Sequence, residues 1–137
     1  MDAPGPADSI LPVLPLLKND FDISLITVKK SPAQILHEFN PIQCDDESKV
    51  AEIYAGIQPD IVFATTSSLL LGPYVINAFL KIAHENKTPI ICFQDYWANH
   101  RQKQNKEIID LYDTVLAVDE RAETYLKEDG FSKPIMI

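Results

Sequence analysis

The densest set of chemically able side chains is Gln94-Asp95-Tyr96-Trp97-Ala98-Asn99-His100, which holds a carboxylate, two carboxamides, an imidazole and the only tryptophan of the chain. Such a set suits a sugar: a ring covers an apolar sugar face while Asp, Asn and Gln match its hydroxyls. Asp95 could also act as a general base toward a hydroxyl brought within hydrogen-bond reach. The plainer alternative is a loop whose Trp97 packs on a neighbouring helix and whose Asp95 caps it. A second polar group, Thr65-Thr66-Ser67-Ser68, runs into a helical stripe. Hydroxyls and free amides at a helix start suit a phosphate or carboxylate, although Ser67 or Ser68 could serve simply as a cap. Asp8, just after Gly5, is a candidate base or an N-cap. The candidate site therefore has Asp95 and Asp8 as catalytic groups. Thr66, Ser67, Ser68, Gln94, Trp97, Asn99 and His100 are its substrate-binding groups.

Other groups read more blandly. His37 and His84 fall within helical patterns as surface or satisfied residues. Asp45-Asp46-Glu47 lacks the spaced oxygens of a calcium loop and suits the positive end of a helix. No metal set is expected, no cofactor is implied, and the motifs G-x-x-x-x-G-K-S/T, G-x-G-x-x-G and G-x-S-x-G are missing.

The elements that must position these side chains follow from periodicity. Short apolar runs rich in β-branched residues alternate with stretches of helical period, which predicts an α/β fold with a Rossmann-like parallel sheet in three α/β/α layers. Strands are expected at 23–28, 41–43, 61–65, 90–93, 114–118 and 135–137. Leu71, Tyr74, Val75, Ala78, Phe79, Ile82 and Ala83 form one stripe on a helix that Pro73 can open. Val50, Ile53, Tyr54 and Ile57 form a shorter stripe, with Gly56 near its stop. Asp119 should cap a helix carrying Ala122, Tyr125 and Leu126, ended by Gly130. Ser31-Pro32 should open a helix through Phe39, and Leu11 to Leu17 reads as a helix that starts or bends at its prolines. Residues 98–107 are polar throughout and fit either a solvated helix or a loop.

In an open parallel sheet ligands bind beyond the carboxyl ends of the strands, and both polar groups follow predicted strands. Residues 1–7 read as a lead-in. Met1 to Pro4 is too short and too polar for the strand that normally precedes a glycine loop, so either a first strand is lacking or Gly5 sits in a plain N-terminal segment. Pro134 to Ile137 starts a further strand, which predicts continuation into a second domain.

With 137 residues, 46% apolar and a formal charge of −8, the composition is that of one ordinary globular domain with a self-sufficient core. The charge argues against nucleic acid, because phosphate affinity needs clustered Lys and Arg and the longest basic stretch, Arg101 to Lys106, carries only three. No apolar run reaches the roughly 20 residues of a membrane span, and the start lacks a signal-peptide pattern. Cys44 and Cys92 read as small core hydrophobes, which fits a reducing, cytoplasmic setting.

Taken in order, Gly5-Pro6-Ala7-Asp8 with Leu11 to Leu17, Gln58-Pro59-Asp60-Ile61-Val62-Phe63, Ser67 to Pro73, Thr88-Pro89-Ile90-Ile91 with Gln94-Asp95, and Tyr112-Asp113-Thr114-Val115 form a recognisable series. The series resembles the N-terminal, acceptor-side domain of GT-B glycosyltransferases and the related UDP-N-acetylglucosamine 2-epimerases. Two features differ from that family: glycines are sparse in the first and third loops, and Gln94-Asp95 stands where a His-Glu pair is common. The resemblance implies a cleft shared with a second domain that holds most of a UDP-sugar, and an acceptor against the loops at Asp8, Ser67 and Asp95. It also implies a half-enzyme that is inactive alone. A different reading of the same chain is a standalone flavodoxin-like binding or interaction module without catalysis, and self-association into a homo-oligomer is open under either.

Overall fold

A computed structural model describes residues 1, 4–66 and 73–137; the expectations at Ser67, Ser68 and Leu71 lie outside the described residues. In chain order the elements are α1 (Pro4–Ile10), α2 (Leu14–Leu17), β1 (Ile26–Thr27), α3 (Lys30–Ile35), β2 (Ile42–Gln43), α4 (Val50–Ile57), β3 (Val62–Thr65), α5 (Pro73–Glu85), β4 (Ile90–Gln94), α6 (Lys103–Lys106), β5 (Thr114–Ala117), α7 (Glu120–Glu128) and β6 (Ile135–Met136). The fold is α/β, with parallel sheets flanked by helices in a Rossmann-like layering.

The strands divide into two parallel sheets: a pair, β1-β2, and a set of four in the order β3-β4-β5-β6. In the larger sheet Thr65 lies opposite Phe93 and Gln94 opposite Ala117, so the carboxyl ends of β3, β4 and β5 share one rim. β4 is interior because it pairs with β3 on one side and β5 on the other, and Ile90 and Cys92 on one of its faces are buried, as helix cover requires. Asp113 fixes its start, accepting from the Ile90 amide through Oδ2 (2.8 Å) while the Asp113 amide donates to the Ile90 carbonyl (2.8 Å).

The main core joins Leu80 and Ala83 of α5, Ile90 and Cys92 of β4, Val115 of β5, and Ala122 and Leu126 of α7. A second cluster gathers Ala7, Leu14, Leu25 and Leu36 under α1 to α3, and a third joins Val28, Cys44, Val50 and Val75. Helix α5 touches both the first and the third, so it holds the two sheets together. Complete burial of a leucine such as Leu80 or Leu126 contributes about 1.5–3 kcal/mol.

Several local expectations are corrected. The segment read as a lead-in over residues 1–7 contains the start of α1, and Gly5 is helical rather than part of a loop. Asp8 stands inside α1, so it is not its N-cap. The 23–28 strand shortens to Ile26–Thr27, and Leu11 to Leu17 is helical only over α2, with Val13 at its N-cap. Lys29, not Ser31, precedes α3, which ends at Ile35 before a separate 3-10 turn at His37–Phe39. Gly56 does lie near the stop of α4, one residue before its end, but the end itself is made by Gln58 in the left-handed region (φ 50°), its amide donating to the Tyr54 carbonyl. On α5, Tyr74 is exposed and Leu80, off the expected stripe, is buried, because this helix meets two clusters rather than one. The 98–107 segment is neither one helix nor an open loop: a 3-10 turn (Asn99–Arg101) precedes α6. The Asp119 cap and the Gly130 stop stand as expected.

Candidate functional site

Because β3 and β4 are adjacent and parallel, the residue after each emerges on the same rim. Thr66 follows β3 and Asp95 follows β4, and the two touch: Thr66 Oγ1 donates to Asp95 Oδ1 at 3.0 Å. Asn99, carried back over the rim by the turn after β4, donates through Nδ2 to both Asp95 Oδ1 (2.6 Å) and Thr66 Oγ1 (3.1 Å). Thr66 and Asn99 are buried and Asp95 is half-buried, so the carboxylate is the part of this junction that solvent reaches. Both protein donors use Oδ1. Among the described residues Oδ2 has no hydrogen-bond partner, which leaves it able to accept from a ligand hydroxyl.

The junction is held from behind. Gln102 Nε2 donates to Asn99 Oδ1 (3.0 Å) and Asn105 Nδ2 to the Asn99 carbonyl (2.7 Å), which fixes the carboxamide of Asn99 with its NH2 toward Asp95. The amide of Thr66 donates to the Phe93 carbonyl (3.1 Å), extending the β3-β4 ladder to the site itself. A buried polar network with its members satisfied is rigid, and rigidity is what a positioning site needs.

The neighbouring candidates are occupied within the protein. Gln94, buried, donates through Nε2 to the carbonyls of Tyr96 (2.9 Å) and Trp97 (2.8 Å) and lies 3.1 Å from His100 Nδ1. On its other side His100 Nε2 meets Asp129 Oδ2 at 2.7 Å, and Arg101 also pairs with Asp129. Arg101 holds the Asp129 carboxyl below the usual carboxylate range, with His100 adding to the effect. Trp97 Nε1 donates to Asp119 Oδ2 (2.8 Å), and the Arg121 guanidinium lies over the indole at 4.4 Å. The Ala122 amide and then the Trp97 indole lower the Asp119 carboxyl in turn. Trp97 and His100 thus tie the loop after β4 to the two residues that flank α7, and Gln94 holds that loop to itself.

Of the sequence-derived candidates, Thr66, Asp95 and Asn99 converge directly. Gln94, Trp97 and His100 lie in the supporting web around them, and Ser67 and Ser68 are outside the described residues. Asp8 is exposed on α1, and no hydrogen bond or ion pair links it to the junction among the described residues. Sequence reasoning missed Tyr96, which is exposed beside Trp97 with ring centroids 5.3 Å apart, and the supporting roles of Asn105, Asp119 and Asp129. Tyr96 stood inside the noted cluster; the other three lie 10 to 34 residues from Asp95, too far for spacing alone to connect them. No group of three or more His, Cys, Asp or Glu side chains is placed to hold a metal ion among the described residues. No helix among them is long and apolar enough to cross a membrane. Compared with protein-family models, curated proteins and solved structures, the chain matches none.

Proposed function

We propose that the chain is the acceptor-side domain of a sugar-nucleotide-dependent glycosyltransferase of the GT-B type, or of an epimerase-like relative, and that it holds a hydroxylated ligand against Asp95. One observation carries this reading: a hydroxyl, a carboxylate and a carboxamide meet at the carboxyl ends of two adjacent parallel strands, the place where open α/β sheets receive ligands. Asp95 Oδ2 accepts the acceptor hydroxyl, and as a general base it takes the proton when that hydroxyl attacks. Thr66 and Asn99 keep the carboxylate aimed. Tyr96 offers an exposed ring for an apolar sugar face. The nucleotide and its diphosphate belong to a second domain, so this chain binds and orients without turnover. Asp8 enters this scheme only through the family resemblance.

The internal bonding of Gln94, Trp97 and His100 favours a second reading, a flavodoxin-like interaction module without catalysis. NMR titration of the 137-residue chain with N-acetylglucosamine, UDP and UDP-N-acetylglucosamine separates the two. The amides of Thr66, Asp95 and Asn99 should shift with the sugar, UDP should add little, and Asp95→Asn should remove the response. Silence of all three amides toward every probe would refute the sugar reading.

A further inference from the structure

Among the described residues no ladder joins the two sheets: β1 pairs with β2, and β3 with β4. Between them lies an open cavity of about 640 Å³, with Ser24, Ile26 and Val28 on one wall and Ile61, Phe63 and Thr65 on the other.

Both walls are strand edges. In β3 the Val62 and Thr66 amides donate toward β4, to the carbonyls of Pro89 and Phe93. Alternation along a parallel ladder therefore turns the N–H and C=O groups of Ile61, Phe63 and Thr65 to the cavity. In β1 the Leu25 and Thr27 carbonyls accept from Ile42 and Cys44 on the β2 side, which turns Ser24, Ile26 and Val28 to the cavity.

One rung on this edge is already made. The Met1 amino group donates to the Ile26 carbonyl (2.7 Å) and the Met1 carbonyl accepts from the Val28 amide (2.8 Å), bracketing Thr27 as a parallel bridge does. Helix α1 begins three residues further on, at Pro4. The walls also look unfinished as surface: Ile61 is 47% and Phe63 45% exposed, and among the described residues the buried Thr65 hydroxyl has no hydrogen-bond partner. Long unpaired apolar edges of this kind are what folded proteins cover.

We propose that this cavity seats one further parallel β-strand, an apolar β-branched segment of about five residues covalently joined to the amino end of Met1, which unites β2-β1 and β3-β4-β5-β6 into a single sheet. A strand there would stand about 4.8 Å from each wall and complete both ladders at once. Met1 sets its direction and register, since backbone continuing from its amino end runs along Ile26 and Ser24. A separate peptide would have to end against the Met1 amino group. A second copy of the chain would have to surrender a strand that already belongs to a sheet.

The test fuses Lys-Ile-Val-Val-Ile-Thr to Met1 and follows amide hydrogen exchange by NMR, with a Gly-Ser extension of equal length as control. Exchange at Ile26, Ile61, Phe63 and Thr65 should slow by at least about tenfold with the apolar extension, and amides of β5 should not change. Equal exchange in the two extended chains would overturn the proposal. So would protection by the free hexapeptide at about 1 mM without protection by the fused one, or concentration-dependent dimers of the unextended chain that protect the same amides. The unextended chain supplies a check that needs no fusion: Ile61, Phe63 and Thr65 amides must exchange at least about tenfold faster than Val62 and Ala64. Comparable protection would mean that the edge is already covered and would equally refute the proposal.

Discussion

Replacing Asn99 by alanine isolates the support of the junction from any question of ligand. The carboxamide makes one hydrogen bond to a carboxylate, one to the Thr66 hydroxyl and one from Gln102. A bond to a charged group contributes about 1.5–3 kcal/mol and a neutral one about 1 kcal/mol. Water can reach half-buried Asp95 and replace part of the loss, whereas the buried Thr66 Oγ1 still donates to Asp95 but loses the only donor it accepts from among the described residues. The net cost is about 3 kcal/mol, at the upper end of ordinary single substitutions. In urea, with an m-value of about 1.5 kcal/mol/M for a chain of this size, the midpoint should fall by about 2 M without a change in slope. The decisive assay is the cycle with Asp95→Ala. Residues in direct contact should couple by about 1–2 kcal/mol, so the double variant should lose less than the sum of the singles. Losses additive within about 0.5 kcal/mol would show that Asn99 and Asp95 do not act together and would remove the argument for an aimed carboxylate.

Three more outcomes follow from local chemistry. The folded state holds Asp119 below its ordinary value of 3.8 through the Ala122 amide first and the Trp97 indole second; a depressed carboxyl stabilises above the unfolded pKa and loses that contribution as pH falls through the folded one. The stability of wild type should therefore drop more steeply than that of Asp119→Asn on acidification below about pH 4, read by Trp97 fluorescence during urea unfolding, and parallel acid limbs would contradict this. Burial pushes the Cys92 thiol up to about 12, and Cys44 is buried too, so an aromatic disulfide reagent should label neither cysteine in the native chain at pH 8 and both in denaturant; rapid native labelling would show that the core opens there. Gly130 ends α7 with φ +86° and open space where a Cβ would stand, so Gly130→Ala should cost about 1 kcal/mol from backbone strain alone, and a neutral thermal melt would contradict it.

How much of this was legible in the sequence depends on the range of the interactions involved. The alternation of β-branched runs with helical stripes determined the α/β class, because burial on a pleated or helical face imposes its own period on the chain. Asp119 as a cap and Gly130 as a stop were legible for the same reason: each satisfies the backbone within a few residues. Thr66, Asp95 and Asn99 could be named as candidates from their types, since both loops follow strands. That they touch was decided only when β3 and β4 paired in parallel with Thr65 opposite Phe93, placing residues 29 apart in the chain within one hydrogen bond. Tertiary structure likewise decided that Trp97 and His100 are committed to Asp119 and Asp129, and that α5 buries Leu80 as well as its expected stripe. Local periodicity is set by each element's own solvent boundary, whereas side-chain partners across a sheet are set by register, and register is a property of the whole fold.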